Sequence, residues 1–407
     1  MNALAEGLKR YLRPWVTGLT VLPLLFGCGS DDMRLGGWRG VIDTLPSGQV
    51  VVANTADGMW TASDAWQVVE NLRLGTQQED APDLFGNVGS LEVDAEGRIW
   101  VLDDRELEIR IFDRGGRYVR TVGRDGGGPG EFRAPQAIHR APDGNMWVPD
   151  PRNNRISIFD TSGAYLEGRN MPGGFGTSQW PGGFDRSGYY HLPIRTSDGP
   201  GGLALALVRL TAAHVVVDTL EVPTDPKERD VFVLLFPNGA RAETDVPFAG
   251  EFEWRLAPSG NLWGMLTDEY RLYEFGPKGD TLRIATREFT PLPVTDAEME
   301  ATRSELEPFV QAGGDVDWSK IPRTKPATSD FFVDDEGNLW VMPETDPDAA
   351  GRLFDIFAPD GLFLGAVHLP FEIELAPLPL IRSSTLYGVT KDALGVSYVV
   401  RANIVKP

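Results

Sequence analysis

The sequence predicts an all-β chain closed into a six-bladed β-propeller, and three observations carry that expectation. A short motif ending in a turn glycine and a large ring recurs along the chain: "DAEGRIWVLD" (94–103), "APDGNMWVPD" (141–150), "DRSGYYHLPI" (185–194), "APSGNLWGML" (257–266), "DEGNLWVMP" (335–343) and, more loosely, "DALGVSYVVR" (392–401). Two full units are 47 residues apart, Gly97 to Gly144, and period-2 alternation gives four short strands per unit. A repeat of 40–50 residues with four strands is what a propeller blade requires. Finally, 46 glycines and 31 prolines are spread over all 407 residues, as turns in an all-β protein would be.

In chain order, the first element is a targeting segment. Lys9, Arg10 and Arg13 precede an apolar run from Trp15 to Gly27, broken by Pro23. That run is too short to span a bilayer and has the charge order of a secretory signal. The junction "LFGC" at 25–28 resembles a bacterial lipobox, which implies a signal peptide over 1–27, lipidation of Cys28 and a linker over 28–37. Cys28 is the sole cysteine, so no disulfide staples the fold. The resemblance implies a lipid anchor in a bacterial envelope, on the periplasmic or outer-membrane face.

The ring itself is expected over 38–407. Three residues after each turn glycine stand Trp100, Trp147, His191, Trp263, Trp340 and Tyr398, and Phe112, Phe159 and Phe275 follow fifteen after their own. The connectors "GTQQEDAPDLFG" and "GRDGGGPGEF" put Pro82 and Pro129 three residues before Phe85 and Phe132. The glycine-rich run at 123–136 therefore reads as a blade-to-blade connector; no Lys-Ser/Thr pair or helix start makes it a phosphate loop. The sixth unit ends before its blade is complete, so N-terminal strands must finish it, and "WRGVIDTLPSGQVVVANTADGMW" (38–60) supplies the expected ones. Two insertions, at about 223–250 and 290–326, interrupt the repeat. The first reads as a hairpin with an Asn-Gly turn and the second as a helix with Thr295 and Glu298 in capping-box spacing. The hairpin's "VFVLLF" is too apolar to stay solvated, so it is expected to fold across the channel mouth as a lid or to pack on a neighbouring blade.

The stretch "GPGEFRAPQAIHRAPDGNMWVPDPRNNRISIFDTSG" resembles the NHL repeat nearly throughout, and the likeness to NHL-like six-bladed propellers extends over 38–407. It implies that Arg155 braces adjacent blades; Arg271 holds the equivalent position and Glu108 replaces it one unit earlier.

A net charge of −21 with no basic stripe argues against nucleic acid as a partner. Four histidines, none in HxH, HxxxH or HExxH spacing, leave no zinc site to read, and no Ser-His-Asp order or GxSxG elbow is present. Loops between second and third strands share a face with the blade connectors, and they bring Asp103, Asp104, Arg105, Asp150, Arg152, Asn153, Asp268, Glu269 and Glu344 to that face. His139, on an innermost strand, is the one histidine expected to face the channel. The leading expectation is a monomeric, membrane-anchored scaffold that binds a protein, peptide or glycan, with no catalytic residues and no cofactor. The alternative, which the six-bladed relatives imply, is a hydrolase or lyase of the lactonase or amidating-lyase type, with Ca²⁺ held by those carboxylates.

Overall fold

The computed structural model describes residues 37–171, 182–196, 204–227, 229–345 and 351–407. The leader expected over 1–27, Cys28 and nearly all of the expected linker lie outside them. Contacts divide the chain into a first unit, 1–33, and a second, 34–407, which holds the described fold.

Six antiparallel sheets form the blades. Blade 1 is Val88–Val93, Ile99–Asp103, Glu108–Phe112 and Tyr118–Val122, in that order from the channel outward. Blade 2 begins at His139–Arg140, blade 3 at Gly183–Phe184, blade 4 at Phe252–Leu256, blade 5 at Thr328–Val333 and blade 6 at Leu380–Arg382. The fold is a six-bladed β-propeller.

The ring residue after the turn glycine explains why the repeat closes. Trp100 of blade 1 is fully buried against Ile138, Met146 and Val148 of blade 2, and Trp340 of blade 5 against Leu386 and Val400 of blade 6. Each ring thus fills the wedge between neighbouring sheets, a position where truncation to alanine costs about 3–5 kcal/mol. A polar lock aims it. Trp100 Nε1 donates to Asp94 (3.1 Å) and Trp340 Nε1 to Asp334 (3.1 Å), in each case six residues upstream. His191, which replaces tryptophan in blade 3, keeps the geometry through Nε2 and Asp185 at 2.9 Å. It is a buried core imidazole held through Nε2. Burial raises the Asp185 carboxyl, but the His191 ring and the Tyr189 amide outweigh burial and hold it below its ordinary value.

The sixth turn departs from the expected register. Gly97, Gly144, Gly188, Gly260 and Gly337 lie between the first and second strands of their blades, whereas Gly395 lies between Thr385–Lys391 and Ser397–Val405, the second and third strands of blade 6. Its Asp392–Tyr398 lock (3.1 Å) repeats the local motif in a different place. The first turn of blade 6 is instead Ser383–Ser384, two non-glycine residues at φ +48° and +61°, the arrangement of a two-residue primed hairpin turn.

N-terminal strands do close the last blade, but not the ones expected. Gln67–Leu74 forms its outer strand, antiparallel to Ser397–Val405. The hairpin Val41–Thr44/Val50–Asn54 lies elsewhere, with Val50–Asn54 running parallel to the outer strand of blade 4, Thr281–Arg287. Between them, Met59 and Trp60 donate backbone N–H groups to Phe363 and Leu364 of blade 5. Residues 38–74 therefore pass along the outer edges of blades 4, 5 and 6 in turn. Asn54 fastens this belt. Its Oδ1 accepts from Trp38 Nε1 (2.9 Å) and Phe363 N (2.8 Å), and its Nδ2 donates to Thr286 O (2.9 Å) and Gly361 O (3.0 Å).

The two insertions fold together. The hairpin Val231–Leu235/Arg241–Asp245 and the helix Asp296–Gln311 share a small core of Phe232, Val246, Leu306 and Ile321. The capping box forms as the spacing implies, with Thr295 and Glu298 each bonding the other's backbone. Lys325 adds an ion pair to Glu298, which holds that carboxyl at about 2, below its ordinary 4.5.

Candidate functional site

The inner strands surround a cavity of about 1690 Å³ lined by residues of all six blades. Its charged groups come mainly from positions just before the first turns: Glu92, Arg140, Asp185 with Arg186, Arg255, Asp335 and Arg382. Most are tied across blade junctions. Arg255 of blade 4 reaches Asp330 of blade 5 (2.5 Å) and also Glu253 (3.0 Å). Arg382 of blade 6 meets Glu92 of blade 1 at 3.3 Å, and the same carboxylate accepts from Arg140 N of blade 2 at 3.3 Å. Arg186 of blade 3 donates to the backbone oxygen of Asp335 in blade 5, whose carboxylate accepts from Ser383 N of blade 6 at 2.9 Å. Burial raises the Asp330 carboxyl above its ordinary value although Arg255 lies beside it.

The structure distributes the residues expected from sequence among three roles. Asp103 and Asp150 are fully buried and serve the framework. Asp103 accepts from the amides of Gly86 (2.7 Å) and Asn87 (3.1 Å), Asp150 from those of Arg133 and Ala134 (both 2.9 Å). Each carboxylate thus pins the connector entering its own blade. Asn153 supports the second staple, donating to Asp150 (2.7 Å) and Gly126 O (3.0 Å). Arg155 donates to the carbonyls of Gly127, Gly128 and Glu131 in the same connector. Arg110, rather than Glu108, gives blade 1 its counterpart, reaching Leu84 O and Pro82 O.

A second group is spent at the periphery. Asp268 and Glu269 each pair with Lys227 at 2.6 Å, and Glu269 also with Arg271 at 3.0 Å. Glu344 faces Lys325 at 3.7 Å, beside a smaller cavity of about 460 Å³. Arg105 and Arg152 are exposed. Only Asp104 and His139 line the channel, Asp104 accepting from Asn87 Nδ2 (2.8 Å) and His139 lying against Tyr190 with ring centroids 5.5 Å apart. Among the described residues, neither insertion contributes to the channel wall, so the hairpin is not a lid. Its apolar face is buried by the helix instead.

Calcium requires several converging oxygen ligands. Among the described residues no three Asp, Glu, His or Cys side chains gather closely enough to hold a metal.

Residues 45–174 match a family model described as a 6-bladed beta-propeller. No curated protein matches the chain in sequence. Among solved structures the chain is similar to a protein described as exported from Bacteroides fragilis, at 14% identity and TM-score 0.48, covering 88% of this chain and 100% of that one. It is also similar to virginiamycin B lyase from Staphylococcus aureus, at 11% identity and TM-score 0.43, over 84% of this chain and 100% of the other. A gluconolactonase from Xanthomonas campestris gives 13% identity and TM-score 0.36, over 84% and 98%. These are distant likenesses of shape, and what those proteins act on says nothing about this chain.

Proposed function

We propose that this propeller is a non-catalytic binding protein that takes an extended polar ligand, a peptide or a glycan segment, into its central channel. The channel volume of about 1690 Å³ carries this reading, because it exceeds the roughly 300–1,000 Å³ typical of small-molecule sites. The wall chemistry supports it. Arginine–carboxylate pairs joining neighbouring blades present fixed donors and acceptors while holding one another oriented. The carboxylates expected to reach a ligand from the connector face, Asp103 and Asp150, are occupied by backbone amides. We further propose that the ring works outside the cytoplasm, anchored through Cys28; the charge order of residues 1–27 and the "LFGC" junction support that placement.

The test is capture from solubilised envelopes with the parent ring and with Arg255→Glu, which sets three acidic groups together at 253, 255 and 330 in the wall. Capture by the parent and its loss in the variant, with circular dichroism unchanged, supports the reading. Equal capture by both would move the site off the channel. Palmitate-analogue labelling that persists in Cys28→Ser would refute the anchor.

A further inference from the structure

We propose that the first-turn end of the channel receives the carboxyl terminus of a peptide, with Arg140 as its anchor; the inference rests on the channel-binding reading above. Hydrogen bonds or ion pairs tie five of the six blade junctions on the innermost strands and their first turns. Besides the pairs described, Arg186 N donates to Pro258 O at 2.8 Å, joining blade 3 to blade 4. At the remaining junction, blades 2 and 3, Gly188 lies against Pro142.

Three guanidinium groups face that end: Arg140, Arg186 and Arg382. Arg382 is matched by Glu92, and Arg186 is held by a carbonyl oxygen, which leaves its charge unneutralised by that bond. The Arg140 side chain has no hydrogen bond or ion pair to any described residue; only its backbone N–H is engaged, with Glu92. Glu92, Asp185 and Asp335 also line that end, so three carboxylates stand with three cations, and Arg140 is the guanidinium without a carboxylate partner among the described residues. A ligand carboxylate would supply that partner, whereas a phosphate dianion would be repelled by the three carboxylates. A guanidinium fork fits a carboxylate through two parallel hydrogen bonds.

The walls beyond these charges favour a peptide over an acidic sugar. Leu375, Pro377 and Leu378 line the channel beside the strand edges, and among its described lining residues the large rings besides His139 are Phe184 and Trp254. Apolar side chains beside backbone strand edges suit an extended peptide.

The experiment uses the ring with equal pools of random octapeptides, one with free C-termini and one amidated, plus an oligoglucuronate. Equilibrium dialysis with mass spectrometry selects binders, whose affinities are then measured in acid and amide form. The expected result is a loss of about tenfold to a hundredfold on amidation, the range of a charge-assisted pair. That difference should vanish in Arg140→Gln and partly return in Arg140→Lys. If Arg140→Gln does not fold, the acid–amide comparison in the parent and the lysine variant decides. Equal affinity of acid and amide in the parent overturns the carboxylate anchor while leaving channel binding standing. Selective binding of the glucuronate overturns the peptide assignment. Retention of no probe at all overturns both proposals.

Discussion

Replacing Asn54 with alanine should loosen the belt that ties the N-terminal segment to blades 4 and 5. Asn54 is 3% exposed, and its amide group uses both donors and both acceptor positions, each on a different residue. The substitution removes four hydrogen bonds worth about 1 kcal/mol net each. It also leaves the indole N–H of Trp38, itself 8% exposed, and the Phe363 amide without their acceptor. Buried donors left unpaired cost about 1–3 kcal/mol apiece, although water entering the site recovers part of this. The sum comes to about 3–6 kcal/mol, which for a domain of this size lowers Tm by roughly 4–8 °C. Asn54→Asp should be no better, since it keeps the acceptors but loses both donors and buries a charge. Differential scanning calorimetry and urea unfolding measure the effect. A shift under about 1 °C for Asn54→Ala would refute the assignment of Asn54 as a hub, because so small a change is incompatible with four lost bonds in a dry site.

Two further outcomes follow from the fold. Removing the pairing of Gln67–Leu74 by Val68→Asp should destabilise the ring more than deleting 41–54, because the former opens the closing blade and the latter strips an added edge from a blade that keeps its own four strands; equal melts for the two would reject this division. In the insert, Glu298 has a folded value of about 2 against an ordinary 4.5, so its stabilisation is complete above about pH 4.5 and is lost as pH falls toward 2. Glu298→Gln, which loses the ion pair and part of the cap at about 1 kcal/mol, should therefore differ from the parent near neutral pH and converge with it near pH 2; a gap that stays constant over that range would contradict the pairing with Lys325.

Much of the ring was legible because its signals are local. A turn glycine, an aspartate or alanine three residues before it and a large ring three after it specify one hairpin with its wedge, and five of six such motifs fall where the repeat puts them. What stayed hidden is non-local. The hairpin 41–54 and the strand Gln67–Leu74 alternate equally well, and only pairing across the chain, with 283–287 for one and 399–405 for the other, separates them. Gly395 misled for the opposite reason, since its local motif is intact but occupies a different hairpin of its blade.

The site was legible only in part. Asp103 and Asp150 each follow a tryptophan by three residues, and that repetition is itself the mark of a framework role, as it is for Arg155. The residues that line the channel carried a different signal. Glu92, Arg140 and Arg255 are charges set four or five residues before a turn glycine, in strands otherwise written with apolar residues: "SLEVD", "AIHRA" and "EWRLA". A charge at such a position has no core to join and must face the channel. Which of these charges pair across the channel depends on how six blades close, and no single repeat contains that information.

The most direct test of the account is hydrogen–deuterium exchange on the ring with and without a retained ligand. Binding in the channel predicts new protection in the innermost strands Val88–Val93, Phe252–Leu256 and Thr328–Val333 and in the Ser383–Ser384 turn, with the hairpin Val231–Leu235/Arg241–Asp245 unchanged. Protection confined to that hairpin and the helix Asp296–Gln311, with the innermost strands exchanging as before, would contradict it.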